Sequence, residues 1–116
     1  MHKVVRFKDA RKYEAPLHDI TVHSMHLQHR NTGSDAPFWI GVSYYLPGAR
    51  AEMSAAPLDR VYIVLDGALT VEFEGETVVL NKLDSVYIGL NETREARNDT
   101  NGLVTILVVM PYPRES

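Results

Sequence analysis

Short runs of alternating apolar and polar residues, separated by turn residues, fill the chain from position 38 onward. Over residues 68–73 the apolar Leu69, Val71 and Phe73 alternate with polar residues, and residues 77–80 run back after the turn at Gly75. This pattern predicts a β-hairpin. Further strands are predicted at residues 38–46, 60–65, 85–88 and 103–110. Turns that recur about every 8 to 12 residues are typical of a β-sandwich or barrel, so we expect an all-β fold.

The first third of the chain has a weaker pattern. Residues 7–13 could form a helical turn, and residues 31–36 have the composition of a loop. Residues 19–29 fit either a strand or a helix, because they open with β-branched residues and continue with good helix formers. Both alternatives stay open at this point.

Length and composition restrict the class of protein. A chain of 116 residues predicts one domain, residues 1–116, with 45% hydrophobic and 23% charged residues, as in ordinary globular proteins. We expect N-terminal strands and a loop over residues 1–36 and the core barrel over residues 37–112. No apolar run approaches the length of a membrane span, and the charged first residues do not resemble a signal peptide, so a cytoplasmic location without membrane partners is expected. The absence of cysteine excludes disulfides and thiolate chemistry.

The distribution of charge argues against nucleic-acid binding. Residues 1–30 hold six basic and three acidic residues, and residues 31–116 hold six and twelve. The basic segment is too sparse for a surface that follows phosphates. All five histidines also precede residue 30; they are His2, His18, His23, His26 and His29.

Two stretches, residues 47–73 and residues 83–98, resemble the two sequence motifs of the cupin superfamily. The most specific parts are the Pro47-Gly48 turn, the block YIVLDGALTV and the run LDSVYI. The resemblance implies a cupin-type jelly-roll β-barrel and a homodimer. It implies no single activity, because cupins include isomerases, dioxygenases, decarboxylases, lyases, storage proteins and sensors.

Cupins usually hold a metal ion with three histidines and a glutamate, and the resemblance places those positions at Ser54, Ala56, Arg60 and Arg94 of this chain. None of these residues suits a metal ion, and two arginines would repel one. If residues 19–29 form a strand, His23 and His29 share a face about 20 Å apart while His26 points the other way, so they cannot bind one ion together. We therefore expect no metal and no other cofactor.

Alternation along the motif strands places Ser54, Arg60, Tyr62 and Arg94 on the inner wall of the barrel. Buried arginines without partners favour a ligand that carries a carboxylate, phosphate or enolate oxygen. The competing interpretation is that neighbouring carboxylates neutralise them near the rim. Those carboxylates would be Asp59 or Glu52 for Arg60, and Glu92 or Glu95 for Arg94.

The other candidates are aromatic or titratable. Alternation over residues 38–46 puts Trp39 and Tyr45 on one face and Tyr44 on the other, without showing which face is internal. A histidine is the side chain that exchanges protons most readily near neutral pH. The predicted catalytic residues are His26, Tyr62 and Glu52, and the predicted ligand-binding residues are Arg60, Arg94, Trp39, Tyr44, Ser54 and Met53.

These residues predict a metal-independent cupin that binds a small organic anion or carbonyl compound, with isomerase, lyase or dehydratase activity. The arginines would hold the negative oxygen, Tyr62 would donate a hydrogen bond, and a histidine or Glu52 would move the proton. Two alternatives remain: a non-catalytic ligand-binding or dimeric scaffold cupin, and an oxygenase-type metal enzyme with displaced ligands.

Overall fold

A computed structural model describes residues 1–14 and 21–113, except for the side chain of Glu52. Its strands are β1 (Arg11–Tyr13), β2 (Val22–Gln28), β3 (Phe38–Tyr45), β4 (Arg50–Ala55), β5 (Arg60–Asp66), β6 (Leu69–Phe73), β7 (Glu76–Leu80), β8 (Ser85–Ile88), β9 (Thr93–Arg97) and β10 (Val104–Pro111). Two single 3-10 turns accompany them, Phe7–Asp9 before β1 and Arg30–Thr32 after β2. The described part of the chain has no helix that could span a membrane.

The strands form two antiparallel sheets. The six-stranded sheet has the order β1-β2-β3-β10-β5-β8, and the four-stranded sheet has the order β4-β9-β6-β7. Apolar side chains from both sheets make one core, with Val64 and Ile106 from the first and Val71 and Ala96 from the second. Removing such side chains from water is the main stabilising contribution to a fold of this kind. The predicted all-β jelly roll is confirmed.

The predicted hairpin is present as β6 and β7, which pair from Leu69 opposite Leu80 to Phe73 opposite Glu76. Gly75 at its tip has a φ of +77°, in the left-handed region that glycine adopts without steric cost. The predicted strands at residues 38–46, 60–65, 85–88 and 103–110 also match β3, β5, β8 and β10 to within one residue at either end.

Strands β4 and β9 were not predicted from apolar alternation, because the apolar positions of β4 are mostly alanine, a weak strand former, and β9 has a single apolar residue, Ala96. β4 and β9 pair with each other. Across them an ion-pair network replaces apolar contacts, since Glu95 binds both Arg50 and Arg97, and Arg97 also binds Glu72. The charges of Arg50, Glu95 and Arg97 are therefore paired within the sheet.

The ambiguous N-terminal segments extend the six-stranded sheet. The helical turn expected over residues 7–13 is limited to Phe7–Asp9, and β1 follows it. The alternative of a strand is correct for Val22–Gln28, which pairs with both β1 and β3, while the start of the 19–29 segment lies outside the described residues. These two strands carry side chains into the site described next.

Candidate functional site

The barrel contains a cavity of about 380 Å³ that opens to solvent. Residues of both sheets line it: Tyr13, Glu14, His26, Trp39, Ser43, Tyr45, Ser54, Ala55, Pro57, Arg60, Tyr62, Arg94, Val108 and Met110. A cavity of this size suits a small-molecule ligand.

Arg94 forms one charged wall of the cavity. It lies on β9 opposite Ser54 on β4, and its residue surface is only 6% exposed. Its Nη1 donates to the carbonyl oxygen of Ser54 at 3.0 Å and to the Ser54 hydroxyl at 2.8 Å. These neutral acceptors position the guanidinium group without cancelling its charge.

Arg60 contributes a second guanidinium at the first residue of β5. Its Nε and one Nη donate to the carbonyl oxygen of Leu58, at 3.2 and 3.0 Å. This arginine is half-buried. Like Arg94, it is therefore held by a backbone carbonyl, and no described carboxylate pairs with it.

Three of the four carboxylates that could have neutralised these arginines bind other groups, and the side chain of the fourth, Glu52, lies outside the described residues. Asp59 accepts a hydrogen bond from the hydroxyl of Tyr87, and Glu92 accepts one from a backbone N–H. Glu95 is engaged by arginines outside the cavity, which lower the pKa of its carboxyl group. Among the side chains that the structure describes, which exclude Glu52, no carboxylate forms an ion pair with either cavity arginine. The cavity therefore carries two positive charges without a described counter-ion.

The positions that hold a metal ion in many cupins do not fit one here. Ser54 and Arg94 are hydrogen-bonded to each other, Ala56 is fully buried without a donor atom, and Arg60 is a cation. Within residues 1–14 and 21–113, no three His, Asp, Glu or Cys side chains converge as metal ligands would. The donor chemistry of this wall suits an anion.

Three tyrosines add hydroxyl groups to the cavity. They are Tyr13 on β1, Tyr45 on β3 and Tyr62 on β5. Burial raises the pKa of Tyr13 and raises that of Tyr45 well above the usual value, although the nearby arginines act in the opposite direction. Tyr13 and Tyr45 are therefore neutral hydrogen-bond donors at physiological pH.

His26 lines the cavity from β2, within a group of aromatic rings. Its ring stacks on Tyr13 at a centroid distance of 3.9 Å and on His29 at 3.7 Å, and Trp39 meets it edge-on at 4.9 Å. Burial, reinforced by His29, lowers the pKa of His26 to about 4. The ring is therefore neutral at pH 7 and is a weak base.

The expectation that His26 and His29 point to opposite faces is wrong. The regular alternation of β2 is interrupted by a β-bulge between His26 and Gln28, and the chain then enters the Arg30–Thr32 turn. A bulge changes the parity of the residues that follow it, so His29 returns to the side of His26. His23 is exposed elsewhere on the strand.

The structure brings six of the predicted site residues to one cavity: His26, Trp39, Ser54, Arg60, Tyr62 and Arg94. Two others do not line it. Tyr44 belongs to the opposite face of β3 from Trp39 and Tyr45 and is paired with the exposed His23, and Met53 is 39% exposed. The side chain of Glu52 lies outside the described residues.

Sequence reasoning missed Tyr13, Glu14 and Ser43 as lining residues. Ser43 shares the face of Trp39 and Tyr45 on β3, so alternation could have identified it once the inner face was known. Tyr13 and Glu14 reach the cavity because β1 pairs with β2, and no local signal in the sequence specifies that pairing.

Comparisons with known proteins agree with this architecture. No family model matches the chain. It is 40% identical over 111 residues to the β-D-galactosidase Rv1717 of Mycobacterium tuberculosis, a match that covers 96% of this chain and 95% of that protein.

Two solved structures show the same fold. The polyketide cyclase RemF from Streptomyces resistomycificus superposes with a TM-score of 0.83 at 18% identity, over 100% of this chain and 83% of that one. The cupin-2 domain protein Rru_A2000 from Rhodospirillum rubrum superposes with a TM-score of 0.78 at 12% identity, over 100% and 78%. This chain has the cupin fold and belongs to the same family as Rv1717.

Proposed function

We propose that this cupin binds a small organic anion, or a carbonyl compound that becomes an enolate, and acts on it as a metal-independent isomerase, lyase or dehydratase. The observation that supports this proposal is the pair of cavity arginines, Arg60 and Arg94, without a described carboxylate partner. A buried guanidinium is costly unless an anion compensates it. A carboxylate or enolate oxygen of the ligand would supply that compensation.

The donors needed for such a ligand are available. Arg94 binds Ser54 through Nη1 alone, and its Nε and Nη2 make no hydrogen bond to a described residue. Every described side-chain nitrogen or oxygen that is sealed from solvent has a hydrogen-bond partner. The remaining nitrogens of Arg94 therefore keep contact with solvent, where an anion can reach them.

Proton transfer without a metal needs a base and donors directed at the charge that develops on oxygen. The arginines and the hydroxyl of Tyr62 are the proposed donors. His26 is a poor candidate for the base because its Nδ1 already accepts a hydrogen bond from the Asn31 amide, which leaves Nε2 as the nitrogen that carries the hydrogen. We therefore assign the base to Glu52 or to Glu14, the described carboxylate that lines the cavity.

Matched ligand pairs test the proposal. We would follow the melting temperature with D-galacturonate against D-galactose, and with benzoate against benzamide, since each pair differs mainly in a carboxylate. The proposal expects stabilisation by the carboxylates alone, because a ligand that binds the folded state raises its stability. Turnover of D-galacturonate would be read by NMR in D₂O as deuterium exchange at the carbon that bears the carboxylate. Equal stabilisation by the neutral partners would contradict the proposal.

Hydrolysis of β-galactosides is the second candidate, and the 40% identity to Rv1717 favours it. Most glycosidases use two carboxylic acids and pass through a positively charged oxocarbenium-like transition state. Glu14 and Glu52 could supply the two acids, but the arginines would oppose the positive charge. The assay is the release of nitrophenol from p-nitrophenyl β-D-galactoside. Activity that is lost in Glu14→Gln and in Glu52→Gln but retained in Arg94→Gln would support hydrolysis over anion chemistry.

The third candidate is a binding protein or scaffold without catalysis. A scaffold that needs no ligand would be expected to fill its barrel with core side chains, whereas this cavity is open. The open cavity therefore favours ligand binding. Binding of the carboxylates without any turnover would assign the protein to this class.

A further inference from the structure

Asn31, in the turn that follows β2, determines where two histidines carry their hydrogen. Its side-chain Nδ2, which can only donate, lies 2.7 Å from Nδ1 of His26. Its backbone N–H donates to Nδ1 of His29 at 3.0 Å. Both Nδ1 atoms are thus acceptors. A neutral imidazole that accepts at Nδ1 carries its hydrogen at Nε2.

The surroundings of His26 oppose a positive charge on its ring. The ring is stacked between Tyr13 and His29, and its residue surface is 8% exposed. Two charged groups on the neighbouring elements are cationic. Arg11 on β1 is the cross-strand partner of His26, and Arg30 follows His29 in the chain. No described carboxylate forms an ion pair with either imidazole, and Glu14 is the described carboxylate along the same cavity.

The opposite nitrogen of His26 is free to meet a ligand. Nε2 makes no hydrogen bond to a described residue. Every described side-chain nitrogen that is sealed from solvent does have a hydrogen-bond partner. Nε2 therefore retains contact with solvent. Because Nδ1 is turned toward Asn31 and the ring lines the cavity, this contact is with the cavity.

We infer that His26 is a fixed hydrogen-bond donor that positions the ligand, and not the group that exchanges the proton. The inference rests on the proposed function and specifies its substrate class. The ligand needs an anionic oxygen for the arginines and a further acceptor oxygen for Nε2–H of His26. A carbonyl, ring-ether or hydroxyl oxygen meets that second requirement. Hydroxy acids, keto acids and cyclic sugar acids combine the two groups.

The hydrogen position can be measured on the free protein. In long-range ¹H–¹⁵N NMR spectra of protein labelled at histidine, we expect His26 to be neutral with its hydrogen on Nε2 between pH 5.5 and 8. Asn31→Asp replaces the amide donor with an acceptor. It should move the hydrogen to Nδ1 and raise the pKa of His26. His29→Gln keeps the Asn31 amide and should leave the hydrogen on Nε2. An Nδ1-protonated or doubly protonated His26 at pH 7 in the wild type would overturn the inference.

Ligand binding tests the donor role separately, with D-galacturonate as the probe. His26→Phe preserves a stacking ring but removes the donor, and should weaken binding about 5- to 30-fold. Unchanged affinity in this variant would refute the positioning role, even if the arginine variants bind weakly. If the arginine variants also bind normally, the proposed function fails, and the NMR spectra of the free protein still decide the hydrogen position.

Discussion

Arg94 on β9 and Ser54 on β4 are cross-strand partners, and one guanidinium nitrogen of Arg94 donates to both the carbonyl oxygen and the hydroxyl of Ser54. Both residues occupy positions at which the cupin resemblance implies metal ligands. At these two positions the resemblance implies histidines that bind a cation, whereas this chain has Arg94 and a serine that orients its guanidinium group. This arrangement underlies the proposal that the wall binds an anion.

The Ser54 hydroxyl should matter more for ligand binding than for folding. In Ser54→Ala the carbonyl oxygen still accepts from Arg94, so we expect a loss of stability below about 1 kcal/mol. Looser orientation of the guanidinium should weaken D-galacturonate binding about 3- to 10-fold. Calorimetry and chemical denaturation would measure the two effects. Ser85→Ala, an exposed serine on β8, is the control, and equal affinities in the two variants would contradict this role.

The protein should become less stable as the pH is lowered, partly because of His26. Its pKa is about 4 in the folded protein and about 6.5 in an unfolded chain, so the unfolded state binds more protons between these values. The free energy of unfolding should therefore decrease as the pH falls from about 6.5 to about 4. His29 and Glu95, whose pKa values are also lowered, contribute in the same direction.

Denaturation at several pH values isolates the contribution of His26. His26→Asn should flatten the dependence of the unfolding free energy on pH over this range. His23→Asn, at an exposed position of the same strand, should retain the wild-type slope. A wild-type slope in His26→Asn would show that the ring is not held neutral by the fold.

Two glycines with similar backbone angles should differ in their tolerance of a side chain. Gly67 and Gly75 have φ values of +81° and +77°, so alanine costs about 1 kcal/mol at either from backbone strain. At Gly67 a Cβ atom would also lie 2.7 Å from the carbonyl oxygen of Leu103, whereas at Gly75 it would meet nothing within 4 Å. Gly67→Ala should therefore be the more destabilising by about 1 to 3 kcal/mol in urea titration. Equal losses would place the strain in the backbone alone.

We expect a homodimer through the outer face near β5 and β8. Phe38, Val61, Tyr87, Val109 and Pro111 line a shallow groove there, and Tyr87 is 63% exposed. Exposed apolar surface of this kind is typical of interfaces, and two-fold assemblies are the commonest oligomers.

Light scattering coupled to size exclusion should report twice the chain mass of 13.1 kDa. Tyr87→Arg should shift the protein to the monomer. Leu103→Arg, which alters an exposed leucine just before β10, should not. If the wild type is a monomer at micromolar concentration, the dimer is excluded. If Tyr87→Arg remains a dimer, the interface lies elsewhere.

The fold and the arginine wall could be predicted from the sequence because each depends on local signals. Alternation and turn residues identified the strands with apolar faces, including the β6–β7 hairpin. Spacing relative to the cupin motifs placed Arg60 and Arg94 on the inner wall, and both line the cavity. These patterns can be read from the sequence because successive side chains on a regular strand point to opposite faces.

The aromatic part of the site depends on features that leave no local pattern. The bulge after His26 reverses the expected parity, and the pairing of β1 with β2 brings Tyr13 against the histidine. Both are results of tertiary packing. The hydrogen position on His26 also depends on Asn31, five residues along the chain, whose amide reaches back across the turn.

Titration calorimetry with D-galacturonate on the double variant Arg60→Gln/Arg94→Gln tests the central claim most directly. Arg50→Gln, which alters an exposed arginine already paired with Glu95, is the control. If the cavity arginines hold the anion, the double variant should bind at least about 100-fold more weakly than the wild type and lose its preference over D-galactose, while Arg50→Gln binds normally. If the double variant keeps the wild-type affinity for D-galacturonate and the preference over D-galactose, the anion is held elsewhere and the claim is contradicted.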